Sequence, residues 1–170
     1  MGEREGCLIK KDRKQTDIAK RYLSGVMRLH KLIERKSAEK AVLEDQVRRT
    51  TASMNPAASF GSSGQDKVGE AVVEIVYLDN EIARYKAERS ALRKEIGAMV
   101  ERLEEPQHIE VISMLYLEFK DWIVIGEEMG CTARNAQNIH GKALIKFAEL
   151  MQERGLLEYT PEKGYRLREG

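Results

Sequence analysis

Two stretches of the sequence hold residues whose types and spacing suggest chemistry. His108-Ile109-Glu110 has the H-x-E spacing of zinc-dependent deaminases, in which a histidine ligates the metal and a glutamate moves protons, but the accompanying P-C-x-x-C ligand pair is absent. No G-x-x-x-x-G-K-S/T phosphate loop, G-x-S-x-G nucleophile turn or paired metal-ligand motif occurs either. Catalysis therefore has no candidate residues, no metal or cofactor is expected, and the chain reads as a non-enzyme. The second stretch, WIVIGEEMGCTARNAQNIHG from Trp122 to Gly141, offers recognition instead, because its spacing is that of a helix-turn-helix.

Each position of that motif has a physical reason. Ile125 and Met129 fall on the inner face of the first helix, Ala136 and Ile139 on that of the second, and Cys131 suits a small apolar site in the turn. Gly130 can take the left-handed conformation that a sharp turn between helices demands, and Thr132 can cap the helix that follows. Gly126 stands where most such motifs have alanine. Either residue is small enough for a close helix crossing, although glycine inside a helix costs about 0.5–1 kcal/mol relative to alanine.

The longer segment LYLEFKDWIVIGEEMGCTARNAQNIHGKALIKF, Leu115 to Phe147, resembles the fourth region of sigma-70-class factors, most tellingly in its Gly141-Lys142-Ala143-Leu144-Ile145-Lys146-Phe147 close. The whole chain is similar in organisation to small phage and prophage proteins of the RinA and ArpU type of transcriptional activator. The resemblance implies that the second motif helix enters a DNA major groove with Ala133, Arg134, Gln137 and Asn138 against base edges. Arg134 would pair with guanine in bidentate fashion, and Gln137 and Asn138 with adenine. Thr132, Lys142, Lys120 and His140 would meet phosphates. Sigma factors usually have arginine where Ala133 stands and glutamate where Arg134 stands, so reading of the usual minus-35 sequence does not carry over. No stretch matches the regions that melt promoter DNA, so the likeness implies a regulator and not a sigma factor.

The elements that must hold this motif are helical. Residues 1–15 lack periodicity and read as a mobile basic terminus. Ile18, Tyr22, Val26, Leu29, Ile33, Leu43 and Val47 recur at helical spacing, so a first helix ends near Arg49. The uncharged, Ser- and Gly-rich stretch 50–66 reads as a loop broken at Asn55-Pro56. From Asp66, Val68, Val72, Ile75, Leu78, Ile82, Tyr85, Leu92, Ile96, Met99 and Leu103 follow at three- and four-residue steps, interrupted only by Arg89. A helix of that length cannot bury its stripe alone. Its partner is either the first helix, folded back as an antiparallel hairpin, or a second copy of the chain joined through the 68–103 seam.

Pro106 marks the next boundary, since proline is tolerated in a first helical turn and not in a helix interior. The expected architecture is thus all-α: a long antiparallel helical hairpin over 16–105, a small helix-turn-helix domain over 106–152, and a tail over 153–170 whose Pro161-Glu162-Lys163-Gly164 favours the turn of a hairpin.

Charge qualifies the functional reading. The chain carries a net +1, but residues 1–50 hold 14 Lys or Arg against 8 Asp or Glu, and residues 106–170 hold 8 against 10. The DNA-reading module is itself slightly acidic, so the basic first helix (Lys10, Lys11, Arg13, Lys14, Lys20, Arg21, Arg28, Lys31) is a candidate source of phosphate attraction. Two cysteines, no leader-like start and no run near the ~18 apolar residues of a membrane span point to a cytoplasmic protein with no membrane partner. The function expected is sequence-specific binding of double-stranded DNA in regulation of phage or prophage genes. Its rivals are a DNA-packaging protein like small terminase subunits and a non-DNA-binding adaptor that contacts RNA polymerase.

Overall fold

The computed structural model describes residues 2–53, 62–160 and 164–168, with side chains from 14 to 52, 67 to 158 and 165 to 168. The chain is all-α apart from a terminal hairpin: α1 (Gly2–Ser53), α2 (Ser62–Val100), α3 (Pro106–Ile112), a π-helical turn (Ser113–Leu117), α4 (Trp122–Glu128), α5 (Ala133–Glu153), and the strands β1 (Leu157–Thr160) and β2 (Gly164–Leu167). It forms two compact units, one made of residues 1–27 and 91–170 and the other of residues 28–90.

The unit 28–90 is the antiparallel pairing of α1 with α2. Leu29 and Ile33 are buried on one helix, Leu78 and Ile82 on the other. Lys36 reaches Glu81 at 3.2 Å and Lys40 reaches Asp79 at 2.6 Å, and the opposite running of these numbers fixes the antiparallel sense. Arg89, the one interruption of the α2 seam, is met across the pair by His30, Nη1 to Nδ1 at 2.9 Å. Along the seam Leu78, Ile82, Ile96, Met99 and Leu103 are buried, while Val72 near its start is 45% exposed. Val73, Val76 and Tyr77 beside it on α2, and Val42 on α1, are exposed as well.

The other unit has one core, to which Ile18, Ala19, Leu23 and Val26 of α1 and Ile96, Met99, Val100 and Leu103 of α2 contribute beside Val111, Ile112, Tyr116, Ile125, Phe147 and Met151. The rings of Tyr22 and Phe147 lie 6.5 Å apart. Pro106, at the first position of α3, is therefore a helix boundary and not a boundary of the core.

Several local expectations change. The helix begins at Gly2 instead of near Thr16, so the segment 1–15 read as mobile is helical from its second residue. Of the loop expected over 50–66, Thr50–Ser53 belong to α1 and the residues from Ser62 to α2, while 54–61, with Asn55-Pro56, lie outside the described residues. After Ile112 the backbone is wound more widely than an α-helix: Glu118 N–H donates to Ser113 O at 3.0 Å, a five-residue step, and Phe119 then takes φ 60°. α5 stops at Gly155 (φ 69°), where Leu156 N–H returns to Met151 O at 2.9 Å. The tail forms the hairpin that its composition favours, with Tyr159 opposite Tyr165 and Leu157 buried, although the turn at 161–163 lies outside the described residues.

Candidate nucleic-acid interface

α4 and α5 are set by their ends. Asp121 accepts from Ile123 N–H at 2.9 Å and Val124 N–H at 3.0 Å, closing the first turn of α4. Gly130 adopts φ 65°, which lets Cys131 N–H donate to Gly126 O at 2.8 Å and ends the helix in three residues. Thr132 then sits at extended φ and ψ, its Oγ1 accepting from Asn135 N–H at 3.2 Å, and α5 begins. Ile125 and Ala136 are fully buried at the crossing, and Met129, Cys131 and Ile139 pack partly buried against the same core.

Gly126 is tighter than the sequence suggests. A Cβ there would stand 2.9 Å from both Ala133 N and Cys131 O, so alanine is not an equivalent at this crossing. Both neighbours are backbone of the turn itself and cannot swing away. Gly126→Ala is expected to lower stability by about 1–2 kcal/mol, because overpacking of about 1–3 kcal/mol outweighs the helix-propensity gain of up to about 1 kcal/mol. Urea unfolding measures this, and a variant as stable as the parent would show that the turn can open.

With α5 fixed in this way, Arg134, Gln137 and Asn138 are exposed in its first two turns and Ala133 is half-buried. Arg134, Asn138 and Lys142 stand four residues apart and form one exposed row. Arg134 and Lys142 make no ion pair among the described residues, so their charges are available to a ligand. Exposed Asn135 belongs to the same turn and was missed by the motif reading, which followed only the positions usual for base contact. Thr132 is also exposed beside them, although its hydroxyl already serves the cap.

Two of the expected phosphate contacts are placed otherwise. His140 is 7% exposed, its Nε2 3.0 Å from Tyr116 Oη and its ring edge-on to Trp122 at 5.2 Å. Burial, and then the charge of Lys20, lower its pKa to about 4. A neutral, enclosed imidazole cannot bind a phosphate, so His140 is a core residue. The helical period explains this, since position 140 follows buried Ala136 by four residues. Lys120 is held between two carboxylates, Glu118 at 2.7 Å and Glu128 at 2.6 Å, which raise its pKa and already neutralise its charge.

A cleft of about 140 Å³ lies at the other end of α5, among Leu103, Glu104, Glu105, His108, Lys146, Glu149 and Glu153. Its carboxylates make it unsuited to a polyanion. His108, from the H-x-E stretch, is buried there with Nε2 3.4 Å from Glu105. Among the described residues, no group of three or more His, Cys, Asp or Glu is arranged to hold a metal, and no helix is long and apolar enough to cross a membrane. No family model matches the chain, and neither a curated protein nor a solved structure matches it.

Proposed function

We propose that the protein is a sequence-specific double-stranded-DNA-binding regulator of phage or prophage genes, acting in the cytoplasm with α5 in the major groove. The observation that carries this reading is the exposed face of α5. Arg134, Gln137 and Asn138 stand on the first two turns of a helix whose start is fixed by a left-handed glycine and a threonine cap, and the flat donor groups of these side chains match base edges. The spacing of the core positions and the GKALIKF close support a sigma-like helix-turn-helix.

Arg134→Ala is expected to weaken binding to the specific site by about 1–3 kcal/mol, roughly ten- to a hundredfold, while binding to unrelated DNA changes little. Adding Gln137→Ala deepens the loss. The site is first found by pulling down sheared genomic DNA with the purified protein, and absence of any enriched fragment at low as well as physiological salt would overturn the reading.

An adaptor that contacts RNA polymerase is the second reading. It is favoured by the excess of acidic residues over 106–170, by the neutralised Lys120, and by Ile123 and Ile145, which are large apolar side chains 66% and 42% exposed on α4 and α5. The same pull-down separates the two.

A further inference from the structure

α2 carries a second regular stripe, on the side turned away from α1. Val73, Val76, Asn80, Ala83, Ala87 and Ser90 recur at steps of three and four, the spacing of a coiled-coil seam, and all six are exposed. By the turn of the helix they lie roughly 150° around α2 from Leu78 and Ile82, the residues buried in the pairing with α1. The outer face of a paired helix is ordinarily charged. This row holds no charge over about five turns and ends at Lys94, the next position of the series. Val73 is 70% and Val76 54% exposed, with Val72 and Tyr77 exposed on either side of them.

A second copy of the same helix fits the row. In a parallel, in-register pair each layer meets itself, with valine on valine at 73 and 76, small residues at 83, 87 and 90 that let the backbones approach, and amide on amide at Asn80. Asn80 makes no side-chain hydrogen bond among the described residues, and an amide can both donate to and accept from its own copy. The flanks match in the same register. Val72 of one copy falls beside Tyr77 of the other, and Asp79 beside Arg84. Lys40 binds Asp79 at Oδ1, and the Asp79 side chain is still 53% exposed; Arg84, with Nη2 3.3 Å from Glu81, is 66% exposed. An antiparallel pair of the same overlap would set Val73 against Ser90, Val76 against Ala87 and Asn80 against Ala83, leaving the amide without a partner. Because α2 is already held as a helix against α1, association has little backbone to order.

We propose that the protein forms a homodimer through this outer face of α2, parallel and in register at Asn80, and not through the seam that faces α1. The inference does not depend on the reading of α5.

Sedimentation of the full chain over a concentration series should show a species of twice the 19.4 kDa chain mass. Val76→Glu sets two carboxylates against each other in one layer and is expected to weaken the dimer on the order of a hundredfold. Val42→Glu is the control, because Val42 is 58% exposed but stands on α1, and it should leave the dimer intact. Asn80→Val should tighten association and admit larger species, since a seam asparagine fixes register at a cost in stability. Ala83→Cys should form a disulfide to its own copy under mild oxidation, identified by peptide mapping, because a parallel seam brings facing Cα atoms within the ~7 Å that a disulfide spans.

A single chain, or a ring of many copies, at every concentration overturns the inference. A dimer that Val76→Glu and Val42→Glu weaken equally does so too. A dimer in which Ala83→Cys yields no such disulfide, or which Asn80→Val does not tighten, overturns the parallel register. All four positions are exposed, and an unchanged thermal melt confirms that each comparison is made between folded proteins.

Discussion

A fragment running from Pro106 to Gly170 is expected to lack a cooperative fold, although it contains all of α3, α4 and α5. The inner faces of α3 and α5 are closed by Ile18, Leu23 and Val26 from α1 and by Ile96, Met99 and Leu103 from α2, each no more than 5% exposed. Burying a side chain of this size contributes about 1.5–3 kcal/mol. Six of them amount to roughly 10 kcal/mol or more, which is of the order of a whole domain's net stability of about 5–15 kcal/mol. The fragment would also present Ile112, Phe147 and Met151 to water. Circular dichroism should show reduced helicity and a broad, featureless melt, with no site-specific DNA binding. A sharp, reversible transition together with a dispersed NMR spectrum would show that residues 106–170 close a core of their own.

Stability is expected to fall as the pH drops from about 6.5 to about 4, through His140. Its folded pKa of about 4 lies below the model value of 6.5, chiefly because the ring is enclosed and secondarily because Lys20 is near. Folding therefore favours the neutral imidazole. Above about 6.5 both folded and unfolded chains are neutral at this position and the full stability is present. Below that value the unfolded chain takes up a proton that the folded chain refuses, so stability declines until the folded ring titrates as well. The span corresponds to about 3 kcal/mol at ~1.4 kcal/mol per pKa unit. Tyr116, whose own pKa is pushed up to about 12 by burial, stays neutral throughout and holds the ring at Nε2. Urea unfolding of wild type and His140→Gln at pH 7 and pH 4.5 isolates the effect, since carboxylates titrating in that range are common to both. Wild type should lose about 2–3 kcal/mol more than the variant. Equal losses would mean that the histidine is not the group responsible.

These two results bear on what the sequence made legible. The helical period of α2, the cap at Thr132, the turn at Gly130 and the exposure of Arg134, Gln137 and Asn138 could be read because each depends on residues within one or two turns of each other. The π-helical turn could not. SMLYL has ordinary helical composition, and nothing in its local residue pattern marks the wider winding that accompanies burial of Tyr116 beside His140. Gly126 was half legible: its smallness was evident, but whether alanine fits depends on tenths of an ångström between α4 and the backbone at 131–133. His140 and Lys120 were misplaced for a shared reason. A polar residue on or near α5 suggests a ligand, and only the fold shows that one is enclosed and the other already answered by Glu118 and Glu128.

The joining of Ile18, Leu23 and Val26 to Phe147 and Met151 in one core also sets an order on synthesis. A ribosome makes α1 first, and the residues of α5 that cover it come about 125 positions later, roughly 6–25 s at ~5–20 residues per second. Through that interval the apolar face of the new amino-terminal helix has only α2 to lean on. Closure then requires contacts of very long sequence separation, such as the Gln15–Gln152 pair, which slow folding because the loop between them must be ordered first. The nascent chain is thus at its most vulnerable to aggregation and to holding chaperones just before α5 emerges.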